Sequence, residues 1–196
     1  MNKKQAILDV AANLFSQKGF KETPISEISK LTGAAEGTIF YHFKTKEGLF
    51  LSILKDLKDS IVEEFQRYIE EKKFDSGILM MEDIISFYLY LSGSMEDRFL
   101  LLHRHDAYEL SINNSECREY LEAIYDCLID IFERAISIGQ KDGSIDKMIT
   151  PRKTAMIIFA MIDALVRFNT YSLYNAGALY DELINSCRRI LRAEKE

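Results

Sequence analysis

The chain has 196 residues and a mass of 22.7 kDa, with 47% hydrophobic and 29% charged residues, a composition that supports a buried core and excludes a disordered chain. Only two prolines and nine glycines are present, so long helices joined by short turns are favoured over Pro- or Gly-rich linkers. The formal charge of −6 is uneven: nine basic against six acidic residues up to Lys58, then sixteen against twenty-five, which places an anionic partner, if there is one, at the amino-terminal end.

Ala6, Ile7, Val10, Leu14 and Phe15 recur at helical spacing, and Gly19 follows as a stop, so the first helix runs from about Asn2 to Lys18. A short second helix carries Ile25, Ile28 and Leu31, started by Thr23-Pro24 or Ser26 and halted at Gly33. The helical pattern resumes over Glu36 to Phe43, and Thr45 is placed to cap a long fourth helix with Leu49, Ile53, Leu57, Ile61 and Phe65 at i+4 spacing. "FDSGILMMEDIISFYLYLSG" and "MEDRFLLLHRHDAYEL" read as one helix each. "NSECREYLEAIYDCLIDIFERAISIGQKDG" is strongly amphipathic, with Gly139 and Gly143 as its end. Pro151 behind Thr150 opens a further helix, and Leu179 to Arg192 form the last. No segment alternates as a strand does. The expected fold is all-α with about nine helices.

Two short helices separated by a turn of about three residues form a helix-turn-helix, whose second helix enters the major groove of duplex DNA. On that second helix Ile39 and Phe43 share a face toward the other helices, while Gly37, Tyr41 and Lys44 lie opposite, flanked by Thr38 and Phe40. The aromatic run is thereby split between core and surface. Exposed aromatic edges suit thymine methyls, and Tyr, His and Lys suit phosphates. Lys46 sits at the first turn of the fourth helix, where free N–H groups favour an anion. Glu36, an acid near a polyanion, either accepts a hydrogen bond from cytosine or serves the helix dipole.

"GFKETPISEISKLTGAAEGTIFYHFKTKEGLF" resembles the DNA-binding domain of the TetR family of bacterial transcriptional regulators, in wording close to that family's multidrug-binding repressors. The likeness rests on Gly19-Phe20, Thr23, Ile25, Ile28, Gly33, the run Gly37 to Phe43, and Lys46-Glu47-Gly48-Leu49. It implies DNA contacts at Gly37, Thr38, Phe40, Tyr41, His42 and Lys46, to which the reading of the residues adds Glu36. Departures are Ala34-Ala35, which remove a side-chain cap, Phe40 in place of a common Tyr, and Ser29 in place of Ala. The resemblance further implies a DNA-binding domain over residues 1–46 and a ligand-binding and dimerisation domain over 47–196, the last two helices pairing across a homodimer. Ile158, Ile162, Leu165, Leu183 and Ile190 are the expected interface. The helix over Ala155 to Val166 agrees, being apolar on nearly all sides; a second subunit or the protomer's own core would cover it.

For an effector, Phe65, Phe87, Phe99, His103, Tyr125, Asp163 and Phe168 are candidate contacts, although aromatics at helical spacing also build ordinary cores. Asp163, an acid within an apolar helix, either faces a cationic ligand or pairs with Arg167 one turn on. His103 and His105 point about 200° apart on a helix, and His105 with Glu109 makes a poor metal site, so neither a metal nor a cofactor is expected. No phosphate loop or nucleophile motif points to an enzyme. Cys117 and Cys127 lie roughly 15 Å apart by helical rise, beyond disulfide reach. No signal peptide or spanning segment is read, so the cytoplasm is the expected compartment. The function implied is a ligand-responsive repressor that releases a palindromic operator when a small apolar or amphipathic effector binds. The alternative is a helical carrier or enzyme whose amino-terminal unit docks protein.

Overall fold

The structure is a computed structural model that describes residues 2–192. Among these residues it holds ten α-helices and no strand: α1 (Lys3–Lys18), α2 (Ile25–Thr32), α3 (Glu36–Phe43), α4 (Lys46–Glu71), α5 (Gly77–Ser94), α6 (Glu96–His103), α7 (His105–Asn113), α8 (Ser115–Asp142), α9 (Pro151–Thr170) and α10 (Tyr180–Leu191). A short 3-10 turn, Ala176–Leu179, precedes α10. The fold is all-α, as the periodicity requires. The chain forms two compact units: one takes in everything up to Glu64 together with Met95–Ile124, and the other takes in Phe65–Ser94 and the chain from Tyr125 onward.

In the first unit, Asn2 caps α1 by accepting from the Lys4 N–H at 3.2 Å, and Gly19 ends it at φ 95 with its N–H on the Phe15 carbonyl at 3.0 Å. Ile7, Ala11 and Phe15 of α1 are buried, as are Ile28, Ile39, Phe43, Leu49 and Phe50 of the three following helices. Phe15, Phe20 and Phe50 meet with ring centroids 5.3–5.9 Å apart. Thr23 does not cap α2; its hydroxyl donates to the Gly19 carbonyl at 2.9 Å, and Pro24 stands at the cap.

The stretch read as one helix over 95–110 is broken at Arg104, which lies extended at φ −73, ψ 147. The cause is polar. Arg104 Nη1 donates to the Ser16 carbonyl at 2.9 Å and Nε to Asp106 at 3.0 Å, meeting the carboxyl end of α1. Around it, Asn13 donates to Asp97 at 3.0 Å, and Arg98 bridges Asp9 of α1 and Asp56 of α4, at 2.9 and 2.8 Å.

In the second unit, α8 runs through Gly139 and stops only at Gly143, at φ 82. Both glycines serve close approach: a Cβ on Gly77, at the start of α5, would lie 2.1 Å from the Gly139 nitrogen, and a Cβ on Gly139 would lie 2.5 Å from the Ile145 side chain. Met80, Met81, Ile84, Ile85 and Tyr88 of α5 are buried, as are Phe132 and Ile136 of α8 and Phe159 of α9. Ile158, Ile162 and Leu183, expected to face a second subunit, are also buried within the protomer, while Leu165 and Ile190 are half-buried. The reason is angular. The α9 face that carries Ile158, Ile162 and Val166 is turned inward, which leaves Met156, Ile157, Ala160 and Ala164 exposed.

Candidate nucleic-acid interface

Recognition-helix geometry begins at the turn before α3. Thr32 Oγ1 donates to the Ile28 carbonyl at 2.7 Å, Gly33 takes the left-handed conformation at φ 66, and Ala35 stands at the helix start without a side-chain cap. The Thr38 and Ile39 N–H groups instead reach the Ala35 carbonyl at 2.8 and 3.2 Å. Along α3, Ile39 and Phe43 are 1% and 4% exposed, whereas Phe40 is 41% and Tyr41 73% exposed. Glu36 and Gly37 are exposed, and Thr38 and His42 half-exposed. The Tyr41 ring stands edge-on to His42 at 5.3 Å. This surface presents aromatic and hydroxyl groups with no aliphatic patch, which suits base edges and sugar-phosphate more than a greasy protein groove.

After α3 the chain turns sharply. Lys44 adopts φ 65, ψ −51, with its own N–H on the Phe40 carbonyl at 2.9 Å and the next N–H, of Thr45, on the Phe43 carbonyl at 2.7 Å. Thr45 then caps α4 by accepting from the Gly48 N–H at 2.8 Å. Lys46 is tucked in: its Nζ donates to the Lys21 carbonyl at 3.3 Å and lies 4.7 Å from the Phe20 ring centroid. Partial burial pushes its ammonium pKa below the ordinary lysine value, with Glu22 and Asp106 opposing the shift.

The candidate effector residues divide between the units. Phe99 and His103 lie in the first, centroids 6.3 Å apart. Phe65, Phe87, Tyr125, Asp163 and Phe168 lie in the second. There Phe87 meets Phe65 edge-on at 4.9 Å and stacks on Tyr68 at 4.1 Å; Tyr125 meets Phe159 at 6.0 Å and Phe168 meets Tyr174 at 5.3 Å. Asp163 is buried and accepts from the Tyr88 hydroxyl at 2.9 Å, with Arg167 at 3.9 Å. Sequence reasoning missed Tyr88, because it sits in an apolar run that marks core and nothing more. Among the described residues no group of three His, Cys, Asp or Glu side chains is placed to hold a metal, and no helix is long and apolar enough to cross a membrane.

Residues 7–53 match the family described as "Bacterial regulatory proteins, tetR family". The "Fatty acid metabolism regulator protein" of Bacillus subtilis is 26% identical over 160 residues, 82% of this chain and 79% of that one. The "HTH-type transcriptional regulator QacR" of Staphylococcus aureus is 52% identical over 54 residues, 28% of this chain and 29% of that one. The chain thus spans most of the first relative and under a third of the second. Among solved structures, the transcriptional regulator FadR from Bacillus subtilis in complex with stearoyl-CoA superposes with a TM-score of 0.78 at 23% identity, covering 96% of this chain and 99% of that one. The motif identity concentrates in α1 to α4, and the fold likeness extends through the remaining helices. Residues 7–53 thus carry the sequence of the TetR family of bacterial regulatory proteins, and the whole chain shares the fold of a regulator of this kind.

Proposed function

We propose that this protein is a dimeric transcriptional repressor that holds a palindromic operator and releases it when an amphipathic effector binds, with residues 1–46 as the DNA-binding domain and 47–196 as the ligand-binding and dimerisation domain. The single observation that carries the reading is the division of α3: Ile39 and Phe43 anchor it, while Phe40 and Tyr41 stand in solvent with no core role. Glu36, Gly37, Thr38, Phe40, Tyr41, His42 and Lys46 are the residues proposed to meet DNA. Two recognition helices must lie about 34–36 Å apart to enter successive major grooves, so a second copy is needed. The exposed α9 face of Met156, Ile157, Ala160 and Ala164 is the proposed contact, with half-buried Leu165 and Ile190 as further candidates. For the effector, the fatty-acid regulator relative and the stearoyl-CoA complex of the structural neighbour support a long-chain acyl thioester or similar amphiphile. Phe65, Phe87, Tyr125, Asp163 and Phe168, all in one unit, are residues proposed to meet it; Phe99 and His103 remain candidates in the other. A catalytic role is not proposed.

The test is selection of duplexes from a randomised pool, followed by footprinting and titration with stearoyl-CoA. Enrichment of a palindrome, released by the acyl thioester, is expected. Failure to enrich any sequence would overturn the regulator reading, and release by a cationic dye in place of the thioester would change the effector class.

A further inference from the structure

The strained residue at the α3–α4 junction has a further role, which rests on the DNA-binding reading above. We propose that Lys44 and Gly48 are positioning residues: the turn they form fixes the angle of the recognition helix on α4, and with it the discrimination of operator from other duplex.

Lys44, at φ 65 and ψ −51, lies where residues with a side chain are seldom found. With the Thr45 N–H on the Phe43 carbonyl at 2.7 Å, it is the centre of a γ-turn of the rare, strained hand. Such a conformation persists only where the surroundings over-determine it. Three contacts do so. The Lys44 N–H is held by the Phe40 carbonyl at 2.9 Å, Thr45 accepts from the Gly48 N–H at 2.8 Å, and the Phe43 carbonyl is pressed against Gly48 so closely that a Cβ there would lie 2.2 Å from its oxygen. Gly48 has an ordinary helical backbone, so its lack of a side chain serves this approach and not a torsion. Only Lys44 and Thr45 separate α3 from α4, which leaves no slack in the joint.

A glycine would occupy position 44 without strain, yet the chain has lysine. Its ammonium is folded back, donating to the Tyr41 carbonyl at 3.2 Å and lying 5.6 Å from the Tyr41 ring centroid. There it satisfies the carboxyl end of α3 and steadies the exposed Tyr41. The side chain and the strained backbone therefore act on one thing, the setting of the recognition helix.

The full-length protein with Lys44→Gly is compared with wild type for binding to the duplex selected by the wild type and to sonicated genomic DNA. Expected are an unchanged or raised melting temperature, unchanged affinity for genomic DNA, and about a tenfold or greater loss on the selected duplex, part of the gap that separates specific from non-specific binding. The salt slope should stay the same. Equal losses on both duplexes with a slope smaller by about one phosphate would make Lys44 a charge contact and overturn the proposal. So would an unchanged ratio of affinities. A melting cycle tests the joint without DNA: Gly48→Ala should lower the melting temperature, and Lys44→Gly in the same chain should recover much of the loss by letting the turn open. An equal loss in both backgrounds overturns the joint. A wild type that enriches no duplex overturns the regulator reading, while the melting cycle still judges the turn.

Discussion

Glu36 opens the recognition helix as an exposed carboxylate beside the surface proposed to meet DNA. If it accepts from cytosine N4, Glu36→Ala will relax preference at one symmetric position of each half-site, by about 1–3 kcal/mol per base pair. If it serves only the helix dipole, affinity will change by the same factor on every sequence. Selection with the two proteins side by side separates these outcomes. In the second unit, Tyr88→Phe removes the hydroxyl that donates to buried Asp163. A hydrogen bond to a charged group contributes about 1.5–3 kcal/mol, so chemical denaturation should reveal a loss of that order. The two buried thiols set an alkaline limit. Burial, with Glu47 and Glu82 adding to it, raises Cys117 and Cys187 from the ordinary 9.0 to about 11. A folded pKa above the unfolded one means this contribution to stability is complete below pH 9 and is lost as pH rises toward 11. Denaturant midpoints across pH 7 to 10.5 should fall only in the upper part of that range.

At the level of elements, α9 shows how angular position decides the effect of one added charge. Ile157 is 57% exposed and Ile158 is fully buried. Ile158→Glu would place an unpaired charge in the protomer's own core, at a cost of several kcal/mol, and unfold it. Ile157→Glu should leave the melting of the protomer nearly unchanged and shift sedimentation from dimer to monomer. A persistent dimer would remove this face from the interface. Helical periodicity in the sequence identified α9 as apolar on most sides, but it could not say which side the protomer would claim, since that depends on where Tyr88 and Phe159 pack. The break at Arg104 was hidden for a related reason: apolar spacing continues across it, and only the distant Ser16 carbonyl draws the residue out of the helix. Gly139 read as a stop because glycine often is one, whereas its missing side chain leaves room for Ile145. The head was the most legible part, because caps, turn glycines and the split aromatic face are all local.

For the whole molecule, the basic amino-terminal end and acidic remainder give two separable expectations. Binding should weaken with salt in proportion to the phosphates neutralised, and the acidic remainder should resist non-specific adsorption to DNA. If the effector acts through a coupled equilibrium, linkage requires reciprocity. The factor by which stearoyl-CoA weakens operator binding, typically about 5–150-fold in allosteric proteins, must equal the factor by which operator weakens stearoyl-CoA binding. Calorimetry of the thioester with and without the selected duplex measures the second. Equal affinities in both titrations would leave a DNA binder without a switch.

The contacts of α1 with the chain beyond residue 94 bear on modularity. Asp9, Asn13 and the Ser16 carbonyl are tied to Arg98, Asp97 and Arg104, so the proposed DNA-binding domain, residues 1–46, is joined to the rest of its compact unit by polar contacts whose partners lie outside it. A chimera that imports those residues from a relative inherits the foreign side chains at 9 and 13 and leaves Asp97 and Arg98 facing strangers. Trading operator preference by exchanging heads should therefore succeed only where donor and host agree at these positions, or where only α3 is exchanged. Lineages of such regulators would then diversify their operators along one helix while the seam behind it stays fixed.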